Sequence, residues 1–119
     1  MKYGTNPTKA QLQYHDQLAR HVGCIACWLD GYFNTWVSIH HIDGRTKPMA
    51  HWLVLPLCAG HHQKGTGECD SLAIHGDKAR FIEVYGSELE LLKRCAERLQ
   101  EQGMKLPEPI EALIRAEVA

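Results

Sequence analysis

Two adjacent histidines, His40 and His41, close an alternating run, Trp36-Val37-Ser38-Ile39, and the other residues able to do chemistry are arranged around them. Cys24-x2-Cys27 lies upstream; Cys58-x2-His61 lies downstream and is followed directly by His62, with His75 further on. Zinc favours four soft or borderline ligands in a tetrahedron, and a two-residue gap lets one turn of chain present two of them. Cys24, Cys27, Cys58 and His61 are therefore expected to hold a structural Zn2+. Four protein ligands leave no open coordination position, so this site staples the chain and does no chemistry. The chain has 5 Cys and 8 His in 119 residues. Met1 to Pro7 lacks the apolar stretch of a signal peptide, and without one metal binding is a better reading of the cysteines than disulfides.

The remaining histidines read as a second, reactive centre. Neighbours on a strand point to opposite faces, so His40 and His41 cannot both ligate one ion in the simplest geometry: one is expected to bind metal and the other to act as base beside it. His62 follows a zinc ligand, which fixes its backbone. A divalent ion held by His40 and His62, completed by water and phosphate oxygens, would stabilise charge on a scissile phosphate. His41 would deprotonate the attacking water, since a neutral imidazole suits that task near pH 7. His51 or a backbone carbonyl would orient that base, with a purely structural His51 as the other reading. His75 is a third metal ligand or a phosphate contact, or else a capping residue. Arg45 and Lys47, on the loop after the base, are expected to grip DNA phosphates. His15 and His21 read as structural or surface residues, Cys95 as a buried apolar thiol on a helix, and Cys69 is undecided.

These residues need elements to position them. Asn6-Pro7-Thr8 reads as a helix start, with Thr8 to Gln11 as a capping box and Ala10, Tyr14, Leu18 and Val22 at helical spacing until Gly23. Cys24 to Cys27 is a tight knuckle and Asp30-Gly31 a turn. Trp36 to His41 reads as one strand and His51 to Leu55 as a second, with Pro56 at its end. A short helix near Cys58 carries His61 and His62 and ends at Gly65-Thr66-Gly67. A loop, Glu68 to Gly76, delivers His75. Asp77 caps a helix with Phe81, Val84 and Tyr85 as its apolar positions. Ser87 to Glu90 is a second capping box, opening an amphipathic helix with Leu89, Leu92, Ala96 and Leu99 on one face. Pro107-Glu108-Pro109 is a stiff connector to a last helix bearing Ile110, Leu113, Ile114 and Val118. The expected architecture is α+β: a small zinc-stapled ββα core with flanking N- and C-terminal helices. The length suits one domain, read as an N-terminal helix over 1–23, knuckle plus core over 24–76, and C-terminal helices over 77–119.

Charge is uneven around a net of −1: residues 1–64 carry 6 Lys/Arg against 3 Asp/Glu, and residues 65–119 carry 7 against 11. The His/Cys-rich half can meet nucleic acid without being strongly basic. The longest apolar run, Trp52 to Ala59, is too short to cross a bilayer, so a soluble intracellular protein is expected.

Cys-x2-Cys, then His-His at a strand end, then Leu-Cys-x2-His-His, resembles the HNH (ββα-metal) endonucleases. That resemblance implies a first histidine, His40, on the catalytic metal, a second, His41, as general base, and a second metal ligand at His62. The family's zinc is usually held by four Cys; here the fourth is His61. Its middle Asn is replaced, with His51 or Trp52 standing there. Within that superfamily Ser38-Ile39-His40-His41-Ile42, Gly44-Arg45-Thr46, His51 to Cys58, and His61-His62-Gln63 are similar to the phage recombination-enhancement (Ref) nucleases. That closer resemblance covers about residues 20–100. It implies a phage or prophage deoxyribonuclease of the bacterial cytoplasm, using catalytic Mg2+ or Mn2+, which cuts DNA where RecA filaments with ATP are bound and promotes recombination. Zn2+ is able to occupy such a His-rich site adventitiously. The N-terminal arm offers only Lys2 and Lys9, less basic than in relatives. The alternatives are a RecA-independent HNH endonuclease and a non-catalytic, zinc-stapled module that binds DNA or RecA.

Overall fold

A computed structural model describes residues 5–63 and 72–118, the side chains of 117 and 118 excepted. In chain order its elements are α1 (Lys9–Gln17), a π-helical turn (Leu18–Val22), α2 (Ile25–Leu29), β1 (Val37–His41), β2 (Val54–Cys58), α3 (Ala59–His62), α4 (Lys78–Tyr85), α5 (Glu88–Glu101) and α6 (Glu108–Val118). The class is α+β, as expected. β1 and β2 form a two-stranded antiparallel sheet, Val37 opposite Cys58 and His41 opposite Val54. With α3 they make a ββα unit flanked by helices on both sides in sequence.

Local chemistry starts and stops the helices. Thr8 Oγ1 accepts from the Gln11 N–H while Gln11 Oε1 accepts from the Thr8 N–H, so two orphan donors of the first turn are satisfied reciprocally. The helix ends at Gly23, whose φ of +69° favours glycine; a Cβ there would also lie 2.6 Å from the Asn34 carbonyl oxygen. That close approach is where the cysteine knuckle folds back, with Cys24 N–H donating to Asn34 O at 2.8 Å. Asp77 and Ser87 cap α4 and α5 by accepting from Arg80 and Glu90 N–H.

The core lies between α1 with its π turn (Tyr14, Leu18, Val22), β2 (Val54, Leu55, Leu57) and α5 (Leu91, Leu92, Cys95, Ala96, Leu99), with Phe81, Leu106 and Ile110 closing it. β2 is buried along its whole length, whereas β1 alternates between deeper and shallower positions. On β1 the row of Val37, Ile39 and His41 is half-buried, and the row of Ser38 and His40 runs from exposed at Ser38 to buried at His40.

Several expected boundaries move. The second strand runs Val54–Cys58, not His51 to Leu55, and contains Pro56, which pairs with Ile39. A two-stranded sheet gives each strand a free edge, so the missing N–H costs no ladder bond if it points outward. His51 to Leu53 form a turn instead. Trp36 lies ahead of β1 and is 88% exposed. On α5 the buried stripe is Glu88, Leu91, Leu92, Cys95, Ala96 and Leu99, and Leu89 faces outward: the helix is rotated about its axis from the expected setting. Val84 and Ala10 are likewise exposed. Pro109 belongs to the first turn of α6, where its missing donor is harmless, so 107–109 is a helix start more than a connector. α3 ends at His62, with Gln63 extended; the expected stop at 65–67 and Cys69 lie outside the described residues. Among the described residues no helix is long and apolar enough to cross a membrane.

Candidate active site

Cys24, Cys27, Cys58 and His61 converge. Cys24 caps α2, Cys27 lies within it, Cys58 ends β2 and His61 sits on α3. All four are buried, and one ligand atom from each lies within 4.8 Å of the others. The Cys27 and Cys58 sulfurs are 3.7 Å apart, and His61 Nδ1 is 3.5, 3.5 and 3.2 Å from Cys24, Cys27 and Cys58. Zn–S bonds of about 2.3 Å and a Zn–N bond of about 2.05 Å in a tetrahedron put sulfurs about 3.8 Å apart and nitrogen about 3.6 Å from sulfur. The donor set therefore fits zinc. Burial pushes the Cys58 thiol up to about 11 and the Cys24 thiol higher, so thiolates require a cation at the centre. N–H donors already face the sulfurs: Cys27 N–H on Cys24 Sγ and the Asn34 side chain on Cys27 Sγ. The far nitrogen of His61, Nε2, meets the Tyr85 hydroxyl at 3.0 Å and Asp30 Oδ2 at 3.3 Å, and Tyr85 Oη donates to the same carboxylate. That aims Nδ1 inward, as outer partners do in metal sites.

His40, His62 and His75 form a second group, again with one ligand atom each within 4.8 Å of the others. Ring centroids lie 5.2 Å apart for His40 and His62, 5.1 Å for His40 and His75, and 4.8 Å for His62 and His75. β1 supplies His40 and α3 supplies His62. The turn at Ile74–Gly76 is pinned to α3 by N–H donation from Ile74 to His61 O and from His75 to His62 O, which brings His75 alongside. Burial falls from His40 through His62 to His75, so the cluster opens to solvent on the His75 side. Ser38 Oγ meets His62 Nδ1 at 2.7 Å. Burial first, then the two neighbouring imidazoles, holds His62 down at about 4. Burial likewise lowers His40, against the raising effect of Glu88. Neutral imidazoles with free lone pairs are what a cation needs.

His41 turns away from this group. Its Nε2 lies 3.1 Å from His51 Nδ1, and His51 Nε2 lies 2.6 Å from the Thr5 carbonyl oxygen. A carbonyl only accepts, so His51 Nε2 carries the hydrogen, and its Nδ1 is the acceptor in the neutral ring. His41 Nε2 therefore donates, which leaves the lone pair of His41 on Nδ1. His41 is pushed down to about 4, first by burial and then by the Arg45 guanidinium and the surrounding histidines. His51 is 3% exposed, and His15 Nε2 donates to its carbonyl at 2.7 Å. Thr5 N–H donates in turn to Arg45 O, so the start of the chain straps the loop that follows the base.

Each residue expected at a site thus falls in one of three neighbouring groups or on their rim. Arg45 and Lys47 are exposed; Arg45 lies near His41, while Lys47 pairs with Asp43 at 3.0 Å. Sequence reasoning missed Glu88, whose Oε2 lies 2.7 Å from His40 Nε2 and whose Oε1 lies 2.9 Å from Lys78 Nζ. Its one signal was a carboxylate at a position spaced with the apolar stripe Leu91, Leu92, Cys95 and Leu99. Ser38, His15, Thr5, Tyr85 and Asp30 had no sequence signal, because each acts through a contact distant in the chain.

The family model described as "recombination enhancement, RecA-dependent nuclease" matches residues 7–100. The matched span begins ahead of α1, takes in the cysteine–histidine cluster, both histidine groups and Glu88, and ends within α5. Over a span of that breadth, the chain belongs to the RecA-dependent nucleases of recombination enhancement.

Proposed function

We propose that this chain is a metal-dependent HNH-type deoxyribonuclease, phage- or prophage-encoded, that hydrolyses phosphodiester bonds in DNA bound by RecA filaments with ATP. The observation that carries this reading is the division of labour across β1: His40 joins His62 and His75 on one side, and His41 meets His51 on the other. In this reading His40, His62 and His75 hold the catalytic ion, and Cys24, Cys27, Cys58 and His61 hold structural Zn2+. Bound there, Mg2+ or Mn2+ would supply positive charge to the scissile phosphate and its leaving oxygen. Imidazole is a poorer donor to Mg2+ than carboxylate, so water and phosphate oxygens complete the shell and Zn2+ is a competitor.

His41 does the proton work. Its Nδ1 lone pair removes a proton from water, whose oxygen attacks phosphorus while the opposite P–O bond breaks. The ring is neutral at pH 7, so its lone pair is free for that step, and its lowered pKa makes it a weaker proton acceptor than an ordinary imidazole. His51 fixes the ring and its tautomer through the Thr5 carbonyl. Arg45, beside the base, meets a DNA phosphate; Lys47 does so only by leaving Asp43. The chain acts as a single nuclease domain in the cytoplasm of the host bacterium, and its near-neutral charge, −1 overall with a basic excess only over residues 1–64, fits a nuclease that reaches DNA through RecA.

The test is nicking of circular single-stranded DNA in Mg2+ or Mn2+, with and without RecA and ATP. Cleavage only with RecA is the expected outcome. Cleavage in both conditions would leave a RecA-independent HNH endonuclease. Cleavage in neither, with filaments verified, would leave a zinc-stapled module that binds DNA or RecA without catalysis.

A further inference from the structure

We propose that Glu88 is a positioning residue that decides which nitrogen of His40 faces the divalent ion: it engages Nε2, so His40 ligates through Nδ1. The inference rests on the reading of His40, His62 and His75 as a metal site, and concerns a residue no motif assigns.

Glu88 is the first residue of α5 and sits on that helix's buried stripe, 8% exposed. A carboxylate is costly there unless both its oxygens are paired. They are: Oε1 takes Lys78 Nζ at 2.9 Å and Oε2 takes His40 Nε2 at 2.7 Å. Capping does not explain it, because the Ser87 side chain already serves the Glu90 N–H. Pairing α4 to α5 does not explain it either, since Lys78 uses only one oxygen. The second oxygen is spent on the most buried histidine of the cluster.

The consequence is chemical. A carboxylate oxygen accepts, so Nε2 of His40 carries the hydrogen and the lone pair lies on Nδ1. At His62, Ser38 Oγ occupies Nδ1 at 2.7 Å; with Nδ1–H donating to that hydroxyl, Nε2 is left to meet the ion. Two histidines of one cluster thus present different nitrogens, His40 by the demand of a carboxylate that only accepts and His62 by the side its Ser38 partner leaves open. Such partners hold ring orientation and raise donor strength, and their loss typically weakens metal affinity about 10–100-fold.

The test uses the full chain with its cysteine site loaded with zinc, titrated with Mn2+, which competes poorly for thiolates. Calorimetry on wild type, Glu88→Ala, Glu88→Gln and Lys78→Ala gives affinities, and thermal melts of the same samples give stability. Expected are an affinity about 10–100-fold weaker for Glu88→Ala, a smaller loss for Glu88→Gln, whose amide oxygen still accepts, and affinity close to wild type for Lys78→Ala. Long-range 15N–1H spectra of the wild type before Mn2+ should show His40 with a protonated Nε2 and a bare Nδ1. A protonated Nδ1 would overturn the proposal without any variant. So would equal Mn2+ affinity in wild type and Glu88→Ala, or an affinity loss in Lys78→Ala that tracks its melting temperature as in Glu88→Ala. Were wild type itself to bind no Mn2+, the metal-site reading would fail, and this inference with it.

Discussion

His51→Ala tests the base most directly. Among the described residues the His51 ring makes two hydrogen bonds, 3.1 Å to His41 Nε2 and 2.6 Å to the Thr5 carbonyl, and it is 3% exposed. A neutral hydrogen bond contributes about 0.5–1.5 kcal/mol net, and about 1.4 kcal/mol is tenfold in rate. Losing both contacts frees the His41 ring and its tautomer, so cleavage should fall about 10–100-fold with RecA present. His41→Ala removes the proton acceptor itself and should cost about 10²–10⁴-fold. The decisive measurement is the double variant. A residue that works only by orienting His41 has nothing to orient in its absence, so His41→Ala/His51→Ala should cleave as slowly as His41→Ala and no slower. His51→Asn, which keeps an acceptor oxygen, should retain more rate than His51→Ala. Additive losses in the double variant, with melting temperatures matched, would refute the relay and leave His51 a structural residue.

Cys58→Ser should release zinc and lower the melting temperature sharply, because binding free energy at such a site is folding free energy; an unchanged melt with zinc retained rules the site out. His40→Ala and His62→Ala should each abolish cleavage, partly restored by raised Mn2+, and an absence of rescue at any concentration would argue against ligand roles. The His41 ring, held down to about 4 first by burial and then by Arg45, should titrate in NMR well below the usual 6.5 of an imidazole. The sign follows from linkage: below pH 6.5 the unfolded chain takes up protons that folded His15 and His41, both lowered, refuse. Stability should therefore hold above pH 6.5 and fall as pH drops toward 4, and a flat profile there would contradict it.

The ligand spacings and the helix caps were legible because each is local. Thr8 with Gln11, Asp77, Ser87 and Gly23 act within a few residues of themselves, and Cys-x2-Cys brings two donors together in one turn. The run from His51 to Cys58 was not legible in the same way. It is almost continuously apolar, and periodicity cannot fix the register of a strand without alternation. Pro56 looked like a terminator, and only the two-stranded sheet reveals that it sits on an edge. The setting of α5 depended on rotation about its own axis, so Leu89 was expected inside where Glu88 is. That one error hid the carboxylate facing His40. The strand parity of His40 and His41, by contrast, was readable and correctly sent the two rings to different partners.

Glu88 also gives this chain a constraint on position 40. A carboxylate at position 40 would be a harder donor to Mg2+ than an imidazole. In this chain His40→Asp should fail by itself. Glu88 Oε2, which now accepts from the imidazole at 2.7 Å, would lose its donor and face a second carboxylate from the shorter Asp side chain, and like charges sharing a buried site push one pKa up. One would take a proton, and the cation would lose a charged ligand or its support. Adding Glu88→Gln removes the repulsion and supplies an amide donor to the carboxylate introduced at position 40. His40→Asp/Glu88→Gln should then bind Mg2+ more tightly than His40→Asp by about tenfold or more, the equivalent of one pKa unit of relieved repulsion, and shift preference toward Mg2+, since carboxylate is the harder donor. Equal affinity in the single and double variants would mean that position 40 and Glu88 are not coupled, and that α5 contributes nothing to the metal site beyond its packing.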